Sequence, residues 1–214
     1  MEVKTLVVGR GRTNTYVIYH AGNREASVID PGGEAQKIID FIDENRLQVK
    51  NIFLTHGHFD HILAVQQVKA HTGARVVIHK NDAECLESAH RSLYLSIMSE
   101  PFRVCKADIT LSGGEKTLVG GVEALFVHTP GHTPGSMCIF IENMMFSGDT
   151  LFAGDTGRTD LPGGDSYTMR GTLRDLYYMS GDYIVFPGHG EPTTLGIERE
   201  HNSELRQAAG VRDE

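Results

Sequence analysis

Apolar positions along this chain follow two rhythms. Short runs rich in β-branched and aromatic residues, Thr5 to Val8, Thr15 to Tyr19, Ala26 to Ile29, Asn51 to Leu54 and Arg75 to Ile78, read as strands. Among them, Ala35 to Glu44 carries Ile38, Ile39 and Ile42 with charges between, a helical period that hides one face. The first two runs flank Gly9-Arg10-Gly11-Arg12 and are expected to pair across that turn, which lacks the lysine and following helix of a phosphate loop and carries no weight as one. The third run ends in Asp30-Pro31-Gly32-Gly33, where the backbone must turn sharply. Asp60 is expected to start a helix over Ile62 to His71 that stops at Gly73, and Asn81 to cap a short helix reaching Glu87. His90 to Lys106, with Pro101 inside it, has no clean period and reads as a surface excursion that could wall a site.

The second half repeats this logic. Glu115 to Leu118 and Val122 to Val127 surround Gly120-Gly121 as a hairpin, and Met137 to Ile141 and Met144 to Ser147 flank the turn candidate Glu142-Asn143. Ser166 to Met179 is helical by period with Ser166 as its cap, Tyr183 to Phe186 is a last strand, and Glu198 to Ala209 closes the chain as a helix. Alternating strands and helices without a dinucleotide glycine fingerprint predict an α/β fold. We expect a single domain over 1–214 made of two similar halves, about 1–110 and 111–214, with a site between them.

Composition narrows the class. A length of 214 residues with 40% apolar content allows a proper core. The net charge of −8 argues against nucleic acid, whose binders carry a basic stripe. Cys85, Cys105 and Cys138 are odd in number and form no C-x-x-C pair, which favours buried thiols and a reducing cytoplasm. Neither a signal peptide nor a membrane span is apparent, so a soluble cytoplasmic protein is expected, with no membrane partner.

The chemistry concentrates in Thr55-His56-Gly57-His58-Phe59-Asp60-His61, directly after the strand ending at Leu54. Three imidazoles and a carboxylate crowded there lose hydration and repel when protonated unless a cation gathers them. Residues 56 and 58 leave an extended segment on one side, while 60 and 61 begin the next element and can turn towards a second ion. Further candidates fall at strand ends: His132 beyond Val127, Asp149 in Gly148-Asp149-Thr150, and His189 in Pro187-Gly188-His189-Gly190. Taken singly, each histidine is more often structural than a ligand, and His20, His71, His79, His90, His128 and His201 are read that way. Five at strand ends with two aspartates reverse those odds. Asp30 either makes an Asx-type turn or supports the site from behind.

Together these motifs resemble the five signature motifs of the metallo-β-lactamase fold superfamily over nearly the whole chain. Asp30 falls where that superfamily keeps its first motif aspartate, which favours the supporting role. Gly148-Asp149-Thr150-Leu151-Phe152, Gly157-Arg158-Thr159-Asp160 and Pro187-Gly188-His189-Gly190 are similar to the short glyoxalase II-like hydrolases. The resemblance implies a four-layer αββα sandwich with a two-metal centre at one edge. His56, His58 and His132 would take the first metal, Asp60, His61 and His189 the second, and Asp149 would bridge. Such sets match two zinc ions, although iron and manganese also accept them.

Two cations roughly 3.5 to 4 Å apart bring a shared water towards ionisation, giving a bridging hydroxide that Asp60 could orient. The implied reaction is hydrolysis of a small-molecule thioester of the acylglutathione type, such as S-lactoylglutathione. Arg158 sits where the family has a basic glutathione contact, or else pairs with Asp155, Asp160 or Asp165. Residues 190–214 are too few for the helical extension that holds glutathione in full-length glyoxalase II, and Asp160 and Glu191 stand where tyrosines are expected. The main rival is a persulfide dioxygenase with one iron on His56, His132 and Asp149. A true β-lactamase is disfavoured because those sites lack the bridging aspartate and are exported. A non-catalytic metal-stabilised module is disfavoured because structural zinc sites usually fill with cysteine.

Overall fold

The computed structural model describes residues 1–94 and 101–211. Two six-stranded sheets form its centre. The first runs in the order β1 (Glu2–Val8), β2 (Thr13–Tyr19), β3 (Glu25–Ile29), β4 (Gln48–Phe53), β5 (Arg75–His79) and β6 (Ile109–Leu111). β1 to β3 are antiparallel and β3 to β6 parallel. The second places β12 (Thr193–Thr194) beside β11 (Ile184–Pro187), then β10 (Met144–Gly148), β9 (Met137–Ile141), β8 (Val122–His128) and β7 (Lys116–Val119). Only β10 and β11 are parallel there.

Alternation along each strand builds three apolar layers, because successive side chains leave opposite faces. Tyr16, Ile18, Phe53 and Val77 point inward to meet Phe126, Ile139 and Phe146 of the other sheet. Rings lock that interface, with Tyr16 and Phe146 centroids 5.1 Å apart and Phe53 and Phe126 5.0 Å apart. Val17, Ile52, Val76 and Ile78 face outward against α1 (Ala35–Glu44) and α3 (Val65–Thr72) through Ile38, Ile42, Val65 and Val68. On the far side Cys138, Phe140, Met145 and Val185 pack against α4 (Ser166–Tyr178), α5 (Leu195–His201) and α6 (Ser203–Ala208). The result is the expected four-layer αββα sandwich. Burying each large side chain contributes about 1.5–3 kcal/mol.

Several local expectations are corrected. The helix expected over 62–71 is two pieces, α2 (Phe59–Ile62) and α3, because the Ala64 N–H turns out to the Pro31 carbonyl at 2.9 Å and leaves the helical ladder. Gly73, at φ 70°, does end α3. Asn81 caps nothing: its amide reaches the Pro134 carbonyl, and the turn at Ala83–Leu86 is 3₁₀. Asp165, not Ser166, caps α4 by accepting from the Thr168 N–H. The closing helix is broken at Asn202 into α5 and α6. β6 and β12 carry no sequence signal and exist through pairing with β5 and β11. Of the expected surface excursion at 90–106, residues 95–100 lie outside the described residues. Cys105 and Cys138 are buried and Cys85 half-buried, all free thiols. Among the described residues, no helix is long and apolar enough to cross a membrane.

Candidate metal centre

The candidate ligands sit beyond one end of both sheets, on loops and, for Asp60 and His61, on the short α2. β4 delivers His56, His58, Asp60 and His61, β8 leads to His132, β10 to Asp149 and β11 to His189. The two sheets are tied there by the Met137 N–H donating to the Thr55 carbonyl at 2.9 Å and the Asn14 N–H donating to the Gly188 carbonyl at 2.8 Å. His56, His58 and His132 offer ligand atoms within 4.8 Å of one another, as do Asp60, His61 and His189. A third set, His56, His61 and Asp149, overlaps both. Asp149 lies between them: Oδ1 is 3.3 Å from His61 Nε2, and Oδ2 is 3.6 Å from both His132 Nε2 and His189 Nε2. Such closeness needs Gly188, where a Cβ would fall 2.2 Å from Asp149 Oδ1 and 2.7 Å from His61 Cε1.

Hydrogen bonds from behind the cluster decide which ring nitrogen faces it. His132 Nδ1 donates to the Arg158 carbonyl at 2.8 Å and His189 Nδ1 to the Gly11 carbonyl at 3.0 Å. His61 Nδ1 meets Asp30 Oδ2 at 3.0 Å. The Thr55 hydroxyl donates to Asp30 Oδ2 at 2.6 Å, which leaves its oxygen to accept from His56 Nδ1 at 3.1 Å. In all four histidines Nε2 is therefore the ring nitrogen turned inward, and once deprotonated its lone pair is available to a metal ion. His56 Nε2, His132 Nε2 and Asp149 Oδ1 are buried without a hydrogen-bond partner. Orphaned acceptors of this kind are costly unless something positive joins them, and mixed nitrogen and oxygen donors suit a divalent ion. The residues present fit a metal centre.

Electrostatics agree. Burial, reinforced by neighbouring imidazoles, holds His56 well below the ordinary histidine range and His58 at about 3, so both are neutral donors. Burial opposes ionisation of Asp149 and Asp60, but His61 and His189 outweigh it and keep both carboxylates below their usual range. Conversely, burial disfavours charge on His61 and His189, yet the carboxylates raise the first well above its ordinary value and push the second up to about 9. Two partly buried carboxylates thus draw positive charge onto the cluster, and bound cations would take the place of those protons.

This arrangement at the end of an αββα sandwich accords with the family comparison. Residues 8–189 match the family model of the metallo-beta-lactamase superfamily. The chain belongs to that superfamily. Among its superfamily relatives, a protein of Haemophilus influenzae (strain ATCC 51907 / DSM 11121 / KW20 / Rd) named hydroxyacylglutathione hydrolase GloC is 35% identical over 213 residues, covering 94% of this chain and 97% of the relative. The crystal structure of BLEG-1 B3 metallo-beta-lactamase superposes with a TM-score of 0.89 at 35% identity, covering 95% of this chain and 99% of that one. TTHA1623 in a di-iron-bound form gives 0.79 at 33% identity, covering 94% and 99%. The superfamily is one of metallo-hydrolases, so a metal-dependent hydrolase is the coarse identity of this chain.

Two further placements bear on the site. Arg158 is exposed and grips Asp160 with both Nε and Nη2 at 2.7 Å, which decides among its expected carboxylate partners. The turn at Gly9-Arg10-Gly11, discounted in the sequence, contributes the carbonyl that orients His189. No side chain is involved, so residue identity carried no signal. A cavity of about 400 Å³ opens over the cluster, lined by Phe59, Leu93, Phe152, Arg158 and Leu161 as well as five of the candidate ligands, His56 and His61 lying beneath it. That volume suits a small molecule.

Proposed function

We propose that this chain hydrolyses a thioester of the acylglutathione type, S-lactoylglutathione being the model substrate, at a centre of two divalent metals, most readily zinc. The observation that carries the reading is the pair of three-residue ligand sets with Asp149 lying between them beside a small-molecule cavity. Two cations bound there would polarise the substrate carbonyl and make a shared water acidic enough to attack near neutral pH. His56, His58 and His132 would hold the first, Asp60, His61 and His189 the second, with Asp149 between them and Asp30 fixing His61 from behind. Asp60 Oδ2, 3.3 Å from His189 Nε2, is partly exposed to the cavity and is placed to accept the proton of the attacking water. Oxygen joins the acyl carbon, the C–S bond breaks, and the sulfur leaves with the bonding pair as a thiolate, so no protein acid is obligatory. Arg158 would meet a substrate carboxylate only by releasing Asp160. The name of the Haemophilus relative supports the substrate class.

The test is release of free thiol from S-lactoylglutathione and from an acyl-coenzyme A by the metal-loaded protein, with metals counted in parallel. Absence of thiol from every acyl-thiol offered refutes the reading. One iron per chain together with oxygen uptake on glutathione persulfide would select the dioxygenase instead. The likeness to BLEG-1 favours one further reading, opening of a β-lactam amide, which a chromogenic β-lactam assayed alongside would reveal.

A further inference from the structure

Asp82 belongs to none of the three ligand sets, yet it is buried, at 1% exposure. It follows β5, on the turn into the 3₁₀ segment Ala83–Leu86. Its Oδ2 accepts from the Gly57 N–H at 2.9 Å and from the Thr133 hydroxyl at 2.7 Å. Gly57 lies between His56 and His58, and Thr133 follows His132. The two loops so joined come from different sheets, and between them they carry all three histidines of one ligand set.

The space for this carboxylate is built on both sides. A Cβ on Gly57 would lie 2.5 Å from Cys85 Cβ and 3.2 Å from Asp82 Cβ, and one on Gly135 would lie 2.5 Å from Asp82 Cγ. Either would drive the loops away from the aspartate. The donors to Asp82, the Gly57 N–H and the Thr133 hydroxyl with the backbone of Gly135 beside them, are neutral, and burial raises its pKa, so this carboxylate is held without a cationic partner in hydrogen-bond reach. Asp30 offers the comparison: it binds Thr55 and the ring of His61 directly. Asp82 touches no ligand ring and acts through backbone and hydroxyl.

We propose that Asp82 is a positioning residue for the three-histidine site, clamping the loop of His56 and His58 to the loop of His132 so that donors from two sheets converge on one ion. This rests on the metal-centre reading above. Outer partners of metal ligands typically change affinity by about 10–100-fold.

The experiment is zinc titration of metal-stripped protein against a competing chelator, for wild type, Asp82→Ala and Asp82→Asn, with thermal unfolding of the stripped forms. Wild type is expected to bind two ions. Asp82→Ala should weaken one of the two by about 10–100-fold and leave the other, and Asp82→Asn, which keeps an oxygen for the two donors, should recover much of the loss. Should Asp82→Ala fail to fold, Thr133→Val removes one bond at nearly constant shape and should weaken the same single ion to a lesser degree. Unchanged affinities, or equal weakening of both ions, would overturn the proposal, since a merely structural residue lowers both together. Wild type that binds no zinc would overturn the metal reading itself, and this inference with it. Two ions in wild type with unaltered variants would overturn this inference alone.

Discussion

At the scale of single residues, the centre is a matter of orientation. His56, His61, His132 and His189 each have Nδ1 committed to an oxygen behind the cluster, so Nε2 has one direction to face. Asp60 carries the sharpest prediction at this scale. Replacing it with Asn keeps the shape but removes the proton acceptor, and kcat for thiol release should fall by about 100-fold or more while KM changes little. Metal analysis of the same variant separates a catalytic loss from a loss of ions. A second prediction concerns His79, buried and stacked on His128 at 4.1 Å. Burial, then the neighbouring imidazole, lower its pKa in the folded chain. The unfolded chain therefore binds the proton first, so stability falls as pH drops through the ordinary histidine range and levels off below the folded value. Urea unfolding of chelated protein should show a slope of up to ~1.4 kcal/mol per pH unit from this site, flattened in His79→Asn.

Among the elements, side chains overrule periodicity where the chain must bend. Glu198 to Ala209 keeps a helical pattern, yet Asn202 accepts from the Leu205 N–H at 3.1 Å and donates to the Asp155 carbonyl at 3.1 Å and Glu198 Oε2 at 2.9 Å. Those bonds start α6 afresh and pin the loop beneath Arg158. Asn202→Ala should lower stability by about 2 kcal/mol, read from the urea midpoint, because it removes a cap and strands buried partners. The break between α2 and α3 has a similar cause in the Pro31 carbonyl, a group far away in sequence. Strands, by contrast, were legible: β9 and the second half of β2 lie between two buried faces, so their apolar runs are continuous and unmistakable. β12, two residues long, had nothing to alternate.

For the molecule as a whole, the two sheets meet through an aromatic seam and again at the cluster. His56, His58, Asp60 and His61 follow the first sheet, and His132, Asp149 and His189 the second. Ions bound there would link the sheets, so chelation should destabilise the fold and not only silence it. Each ion present at about 1,000 times its dissociation constant contributes ~4 kcal/mol. For a chain of this size that corresponds to a drop in Tm on the order of 10 °C, at ~2–4 °C per kcal/mol, measurable by calorimetry with and without chelator.

Residue chemistry alone determined that His56, His58, Asp60 and His61 crowd one strand end, since no folding pattern asks for that density of imidazole, and that His132, Asp149 and His189 end other strands. Tertiary structure decided the rest: that seven groups spread over 134 positions meet, which ring nitrogens face inward, and that Asp82 and the Gly11 carbonyl stand behind them. The reason is physical. Donor identity and local period are written in consecutive residues, whereas hydrogen bonds between loops depend on how two sheets stack, and a backbone carbonyl looks the same at every position until the fold places it.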